Sequence, residues 1–250
     1  MSRQWAPASL EAADLLAGRV EGNFSRVLTR LLAAHALAEK LTALGYRRAL
    51  DTVADSELAA AIRKNLAEEE KHAQLIYKLL ADLGISEAHA DRSMVRTLKS
   101  LSFAAPRQFA EHATDELDLV MASVSLDMTG LLMIGVNYKE SSYAPYARAA
   151  EEILAEEEDH DLFANAALRD AAERLGSDAV NAALREWLPH ALNFFGPPGS
   201  GFTFDCLRYG LKARDNREIA ELYLSLLERR LQQAGLTMPR LTQEYPYALA

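Results

Sequence analysis

Two short patterns in the chain carry chemistry, Glu69-x-x-His72 and Glu157-x-x-His160. A carboxylate and an imidazole three positions apart on a helix project about 60° apart, so both can reach one metal ion. Of the six histidines, only His72 and His160 have a glutamate three residues before them. Both pairs interrupt apolar stripes of helical period. One stripe reads Leu58, Ile62, Leu66, Glu69, His72 or Ala73, Ile76, Leu80; the other reads Tyr146, Ala150, Ile153, Glu157, His160, Ala164, Ala167. Ionisable groups on a core-facing stripe are costly to bury without a partner, and a metal ion is the partner this chemistry suits.

Two further stripes each offer one inward carboxylate. Leu28, Leu32, His35, Glu39 precede the first pair, and Val120, Val124, Asp127, Leu131, Ile134 precede the second. Glu39 and Glu69 lie 30 positions apart, as do Asp127 and Glu157, so the two halves repeat one helix-turn-helix unit. Antiparallel helices bring two residues level only when both are equally far from the turn. The midpoints, positions 54 and 142, fall in expected turns, about 22 Å of helix from each residue. Glu116 and Asp118 lie too far from the turn, which selects Asp127. The expected metal set is therefore Glu39, Glu69, His72, Asp127, Glu157 and His160.

Four carboxylates and two imidazoles suit two iron ions, with manganese as an alternative at one position, and the absence of thiolates argues against structural zinc. Such a centre takes dioxygen as co-substrate. Its electrons must come from an external donor, because the sequence has no dinucleotide-binding motif and only one cysteine, Cys206. The neighbours Glu68, Glu70, Glu156, Glu158, Asp159 and Asp161 read as solvated faces. His35 reads either as a support for Glu39 or as a hydrogen-bonded core histidine. His112 and His190 read as structural, and Tyr77, Tyr138 and Met133 as packing that can also line a pocket.

The elements that must position these residues are helices. Four long ones are expected at about Asn23–Leu44, Asp55–Leu83, Pro106–Tyr138 and Tyr143–Leu175, with Gly45, Gly84 and Gly176 as stops. The second and third are joined by Ile85–Ala105, with a short helix around Met94–Leu101. One long connection between two short ones describes an all-α, ferritin-like four-helix bundle with a crossover. Further helices at about Asp178–Phe195, Phe204–Ala213 and Arg217–Ala234 should pack on that core, making residues 1–250 one domain.

Composition narrows the partners. A formal charge of −9 and a pI near 5.2 disfavour a phosphate-binding surface, so no nucleic-acid partner is expected. The apolar run Val120–Val136 is short for a membrane span and carries Asp127 at its centre, so no membrane is expected. A lone cysteine and no signal-like N-terminus point to the cytoplasm.

The segment Ser142-Tyr143-Ala144-Pro145-Tyr146-Ala147-Arg148-Ala149, followed by Glu157 and His160, resembles the catalytic subunit of phenylacetyl-CoA epoxidase. His35-Ala36 with Glu39, Glu69-x-x-His72, Phe195-Gly196-Pro197 and Gly235-Leu236-Thr237-Met238-Pro239 resemble that family's segments in the same order. The resemblance implies the same six ligands, a di-iron monooxygenase of phenylacetate catabolism, a small organic substrate such as an acyl-CoA or aromatic compound, a reductase, and a homo- or hetero-oligomer. It departs in two places. The chain lacks that subunit's long C-terminal extension, and Leu131-Leu132-Met133 is bulkier, implying a smaller or differently placed substrate. Other readings are an iron-oxidising ferritin-like protein, a transfer-RNA hydroxylase and a non-catalytic partner subunit. Shell assembly would favour the first of these, transfer-RNA binding the second, and loss of the ligands the third.

Overall fold

The computed structural model describes residues 4–101 and 115–240. Among them are α1 (Ala12–Leu16), α2 (Gly22–Ala49), α3 (Ser56–Asp82), α4 (Glu87–Leu101), α5 (Glu116–Leu132), α6 (Ala144–Leu175), α7 (Ser177–Phe194), α8 (Gly201–Tyr209) and α9 (Asn216–Gln233). The fold is all-helical, as expected. Helices α2 and α3 form one antiparallel hairpin, α5 and α6 a second, and α3 packs on α6 to close the bundle. Helix α4 runs along α2 within the connection between hairpins, while α7 and α9 lie against α5.

Local chemistry sets several boundaries. Asp55 caps α3 by accepting from the amides of Glu57 and Leu58 at 2.8 and 2.7 Å. Asp215 and Glu218 form a capping box at α9, and Pro145 occupies the first turn of α6. Gly84 and Gly176 end their helices with φ of 79° and 83°, backbone that side chains rarely adopt. The expected stop at Gly45 is not used. Tyr46 and Ala49 are buried beyond it, and packing of that extra turn outweighs the glycine's weak helix propensity.

The crossover helix α4 is longer than the expected Met94–Leu101 segment. The expected start of the third helix at Pro106, and His112, lie outside the described residues. Where that helix was expected to run on to Tyr138, α5 passes instead into a π-helical turn, Met133–Asn137, and a 3-10 turn, Tyr138–Glu140. The Asn137 side chain accepts from the amides of Ala213 and Arg214 at 3.1 and 2.8 Å, tying this irregular turn to the C-terminal helices.

The loop between α5 and α6 is fastened from two distant parts of the chain. Ser142 donates through its amide to Gly210 and through its hydroxyl to the Tyr209 carbonyl, both at 2.8 Å. Leu10 donates to Ser142 at 2.9 Å and accepts from Ala144 at 2.8 Å, the only β-bridge among the described residues. Apolar residues from all these helices join one core cluster. The apolar run containing Asp127 is largely covered by other helices, as for a buried core helix.

Candidate metal centre

The six expected residues lie inside the bundle, all buried: Glu39 on α2, Glu69 and His72 on α3, Asp127 on α5, and Glu157 and His160 on α6. Glu39, Glu69, His72 and Glu157 offer four ligand atoms within 4.8 Å of one another. His160 Nδ1 sits 3.4 Å from Glu69 Oε1, on the edge of that group. Asp127 borders the same space but is engaged elsewhere, with both carboxylate oxygens 3.2 Å from the Tyr46 hydroxyl that donates to them.

Each histidine is fixed by a carboxylate from the opposite hairpin. His72 Nε2 donates to Glu156 Oε2 at 2.8 Å, and His160 Nε2 donates to Glu68 Oε2 at 2.9 Å. With the proton on Nε2, each Nδ1 carries a lone pair. Those atoms have no hydrogen-bond partner, and neither has Glu69 Oε2, although all three are buried. His72 Nδ1 instead points between Glu39 Oε2 at 3.9 Å and Glu157 Oε1 at 3.6 Å. Orphaned buried acceptors converging on one space are what a metal ion would satisfy.

Glu68 and Glu156 are thus not solvated faces as their neighbours suggested. Lys71 contacts Glu156 at 2.7 Å and Lys64 contacts Glu68 at 3.5 Å, anchoring the carboxylates that orient the imidazoles. Asp161 is also buried, paired with Arg230 of α9 at 2.7 Å. Glu158 and Asp159 are exposed, as expected.

His35 does support Glu39. Its Nε2 donates to Glu39 Oε1 at 2.6 Å, while its Nδ1 accepts from the Tyr146 hydroxyl at 2.8 Å. The electrostatic consequences differ among the carboxylates. Burial, followed by the charges of Glu39 and Glu157, pushes Glu69 well above the usual carboxylate range, and burial with Glu39 and Asp127 does the same to Glu157. Asp127 is raised chiefly by burial. Burial opposes ionisation of Glu39 too, but the hydrogen bond from His35 outweighs it and holds Glu39 well below that range.

Space for ions and for a substrate is present. A cavity of about 30 Å³ is bordered by Glu39, Glu69, Asp127, Gly130 and Glu157, enough for a body the size of one water. Gly130 leaves room there for the Glu157 carboxylate, since a Cβ on it would stand 3.0 Å from Glu157 Oε2. A second cavity of about 100 Å³ adjoins Glu39 and is lined by His35, Met94, Met133, Ile134, Tyr138 and Phe194 among others. Of the bulky trio Leu131-Leu132-Met133, only Met133 lines it; Leu131 and Leu132 border a different pocket toward α9. The π turn re-aims Met133 and Ile134 toward this cavity, a use common for such turns. Tyr77 is not part of it, its hydroxyl being bound to Asp91.

Sequence spacing pointed to six residues that the structure buries inside the bundle, but not to Tyr46, Gly130, Glu68 or Glu156. Tyr46 follows Glu39 by seven residues, two turns on the same face, and that spacing was the available signal.

Residues 118–246, just over half the chain, match the family described as phenylacetic acid catabolic protein. The chain belongs to this family. The matched span includes Asp127, Glu157 and His160. Among solved structures, a Synechococcus protein described as protein 19 with aldehyde deformylating oxidase activity superposes with a TM-score of 0.66 at 16% identity, over 86% of this chain and 92% of that one. That likeness is one of fold. No curated protein sequence matches. Family membership and the buried carboxylate–imidazole cluster make the chain an enzyme of the di-iron oxygenase class.

Proposed function

We propose that the chain is a dioxygen-dependent di-iron oxygenase that hydroxylates or epoxidises a small organic substrate, of the acyl-CoA or aromatic acid class. The observation that carries this reading is the crossed pairing of His72 with Glu156 and His160 with Glu68, which leaves two buried imidazole lone pairs beside the carboxylates of Glu39, Glu69 and Glu157. Glu39, Glu69, His72, Asp127, Glu157 and His160 would hold the ions. Two ferrous ions bound there supply joint reduction of dioxygen.

The chain's own groups provide the rest. His35 and Tyr146 fix the Glu39 carboxylate, and Glu68 and Glu156 fix the imidazole tautomers. The apolar cavity beside Glu39 would seat the reacting carbon and keep water away from it, with Met133 and Tyr138 limiting its size. This cavity favours an organic substrate over simple iron oxidation, which needs no apolar space. Electrons would come from a reductase, and assembly with further subunits fits the family.

The test is elemental analysis after anaerobic loading with ferrous ion, followed by oxygen uptake with reductant and candidate acyl-CoA and aromatic acid substrates. About two irons per chain, lost in Glu69→Ala and Glu157→Ala, with substrate-dependent oxygen uptake, is the expected result. Absence of metal from the folded wild type would return the chain to a structural bundle.

A further inference from the structure

The two hairpins do not present their ligands equally. Among the described residues one group of four, Glu39, Glu69, His72 and Glu157, has its ligand atoms within 4.8 Å of one another. An ion placed there would have three carboxylates and an imidazole already gathered around it. The remaining pair, Asp127 and His160, is not gathered in this way. His160 Nδ1 is in place beside Glu69, but Asp127 directs both oxygens at the Tyr46 hydroxyl.

Tyr46 is itself held. It is buried, and Ser123, one turn before Asp127 on α5, stands 3.4 Å from its hydroxyl. Asp127 still borders the small cavity shared with Glu39, Glu69 and Glu157, so its carboxylate has that space beside it to turn into. What such a turn costs is the bond from Tyr46. A hydrogen bond between two buried groups is stronger than one in water, so giving it up opposes the turn.

We propose that the two metal ions load in order, the first at Glu39–Glu69–His72–Glu157 and the second only as Asp127 leaves Tyr46, so that Tyr46 sets the affinity gap between the two sites. Tyr46 is a positioning residue here, acting on the metal through Asp127. The inference rests on the di-metal reading above and adds an order and a controlling residue to it.

The test is anaerobic titration of the full chain with cobalt(II), followed by calorimetry and by visible absorption, on wild type, Tyr46→Phe and Asp127→Asn. Wild type should take up two ions in separable steps, the second weaker. Tyr46→Phe should tighten the second step by about tenfold and leave the first roughly unchanged, the size expected for removing one hydrogen bond from the competition. Asp127→Asn should retain a single ion at the wild-type first-step affinity. Uptake of two ions in one step by wild type, or an unmoved second step in folded Tyr46→Phe, overturns the order while leaving the di-metal centre standing. No uptake by wild type overturns both. If Tyr46→Phe does not fold, Asp127→Asn decides: loss of both ions together overturns the order.

Discussion

The two hairpins share one ligand order and one spacing, yet they hold their lone carboxylates in opposite conditions. In the first, His35 donates to Glu39 and keeps it ionised well below the usual range. In the second, a neutral phenol donates to Asp127, and burial keeps that carboxyl well above the usual range. The imidazoles diverge as well. Burial would lower both, but Glu39 and Glu156 together raise His72, whereas burial outweighs Glu68 at His160 and lowers it. A repeated spacing therefore fixes where these carboxylates stand, and the donor that faces each one fixes whether it is ready for a cation. Both deciding partners, His35 and Tyr46, lie on α2.

The largest effect that would break this comparison is in pH. Glu69, Glu157 and Asp127 have folded pKa values raised above their ordinary values of 4.5, 4.5 and 3.8. As pH rises past those values the unfolded chain loses its protons while the folded chain keeps them, so these groups lower the stability of the metal-free protein from there upward. A metal ion must displace the same protons. Affinity should accordingly rise with pH across this range, and fall about tenfold for each unit of acidification per proton released. Calorimetry in buffers of different ionisation enthalpy would count those protons, and a metal-free protein that gains stability above pH 5 would contradict the assignment.

Next in size are the carboxylates that orient the imidazoles. Glu156→Ala should weaken the first ion and Glu68→Ala the second, each by roughly 10- to 100-fold, because an unsupported imidazole loses its tautomer and its aim. Equal effects of either variant on both ions, measured by cobalt titration, would remove the distinction between the hairpins.

Replacing His35 tests the first hairpin alone. His35→Leu leaves Glu39 and Tyr146 without their buried partner and should cost about 1–3 kcal/mol in denaturant unfolding. The loss should be smaller below the ordinary carboxylate range, where Glu39 in the unfolded chain is protonated too. The smallest effect belongs to Gly130→Ala. Its Cβ would force the Glu157 carboxylate to shift by a few tenths of an ångström, costing about 1 kcal/mol of stability with a modest loss of metal affinity.

Much of this was legible in the chain. Period-3.6 stripes gave the helical class, and the equal spacing of Glu39–Glu69 and Asp127–Glu157 placed all six residues inside one bundle. What the stripes could not show were contacts made across hairpins. Glu68 and Glu156 sit among other acids on polar faces, and only the packing of α3 on α6 reveals that each reaches the opposite imidazole. Gly45 misled because local propensity favours a stop where burial of Tyr46 sustains the helix. The π turn at Met133–Asn137 has no sequence period of its own, so the sequence alone does not say which of Leu131, Leu132 and Met133 meets the cavity.

The fastening of Ser142 also bears on how the protein is made. The α2–α3 hairpin closes through contacts near in sequence and can form early on a ribosome. Leu10 can reach the loop that joins α5 to α6 from the start, but the bonds from Ser142 form only when Tyr209 and Gly210 have been synthesised. For the time needed to add some seventy residues, a nascent chain therefore carries a finished first hairpin facing a second whose turn is only partly fastened. Its polar interior is open to water during that interval, and to whatever metal ions the surroundings offer.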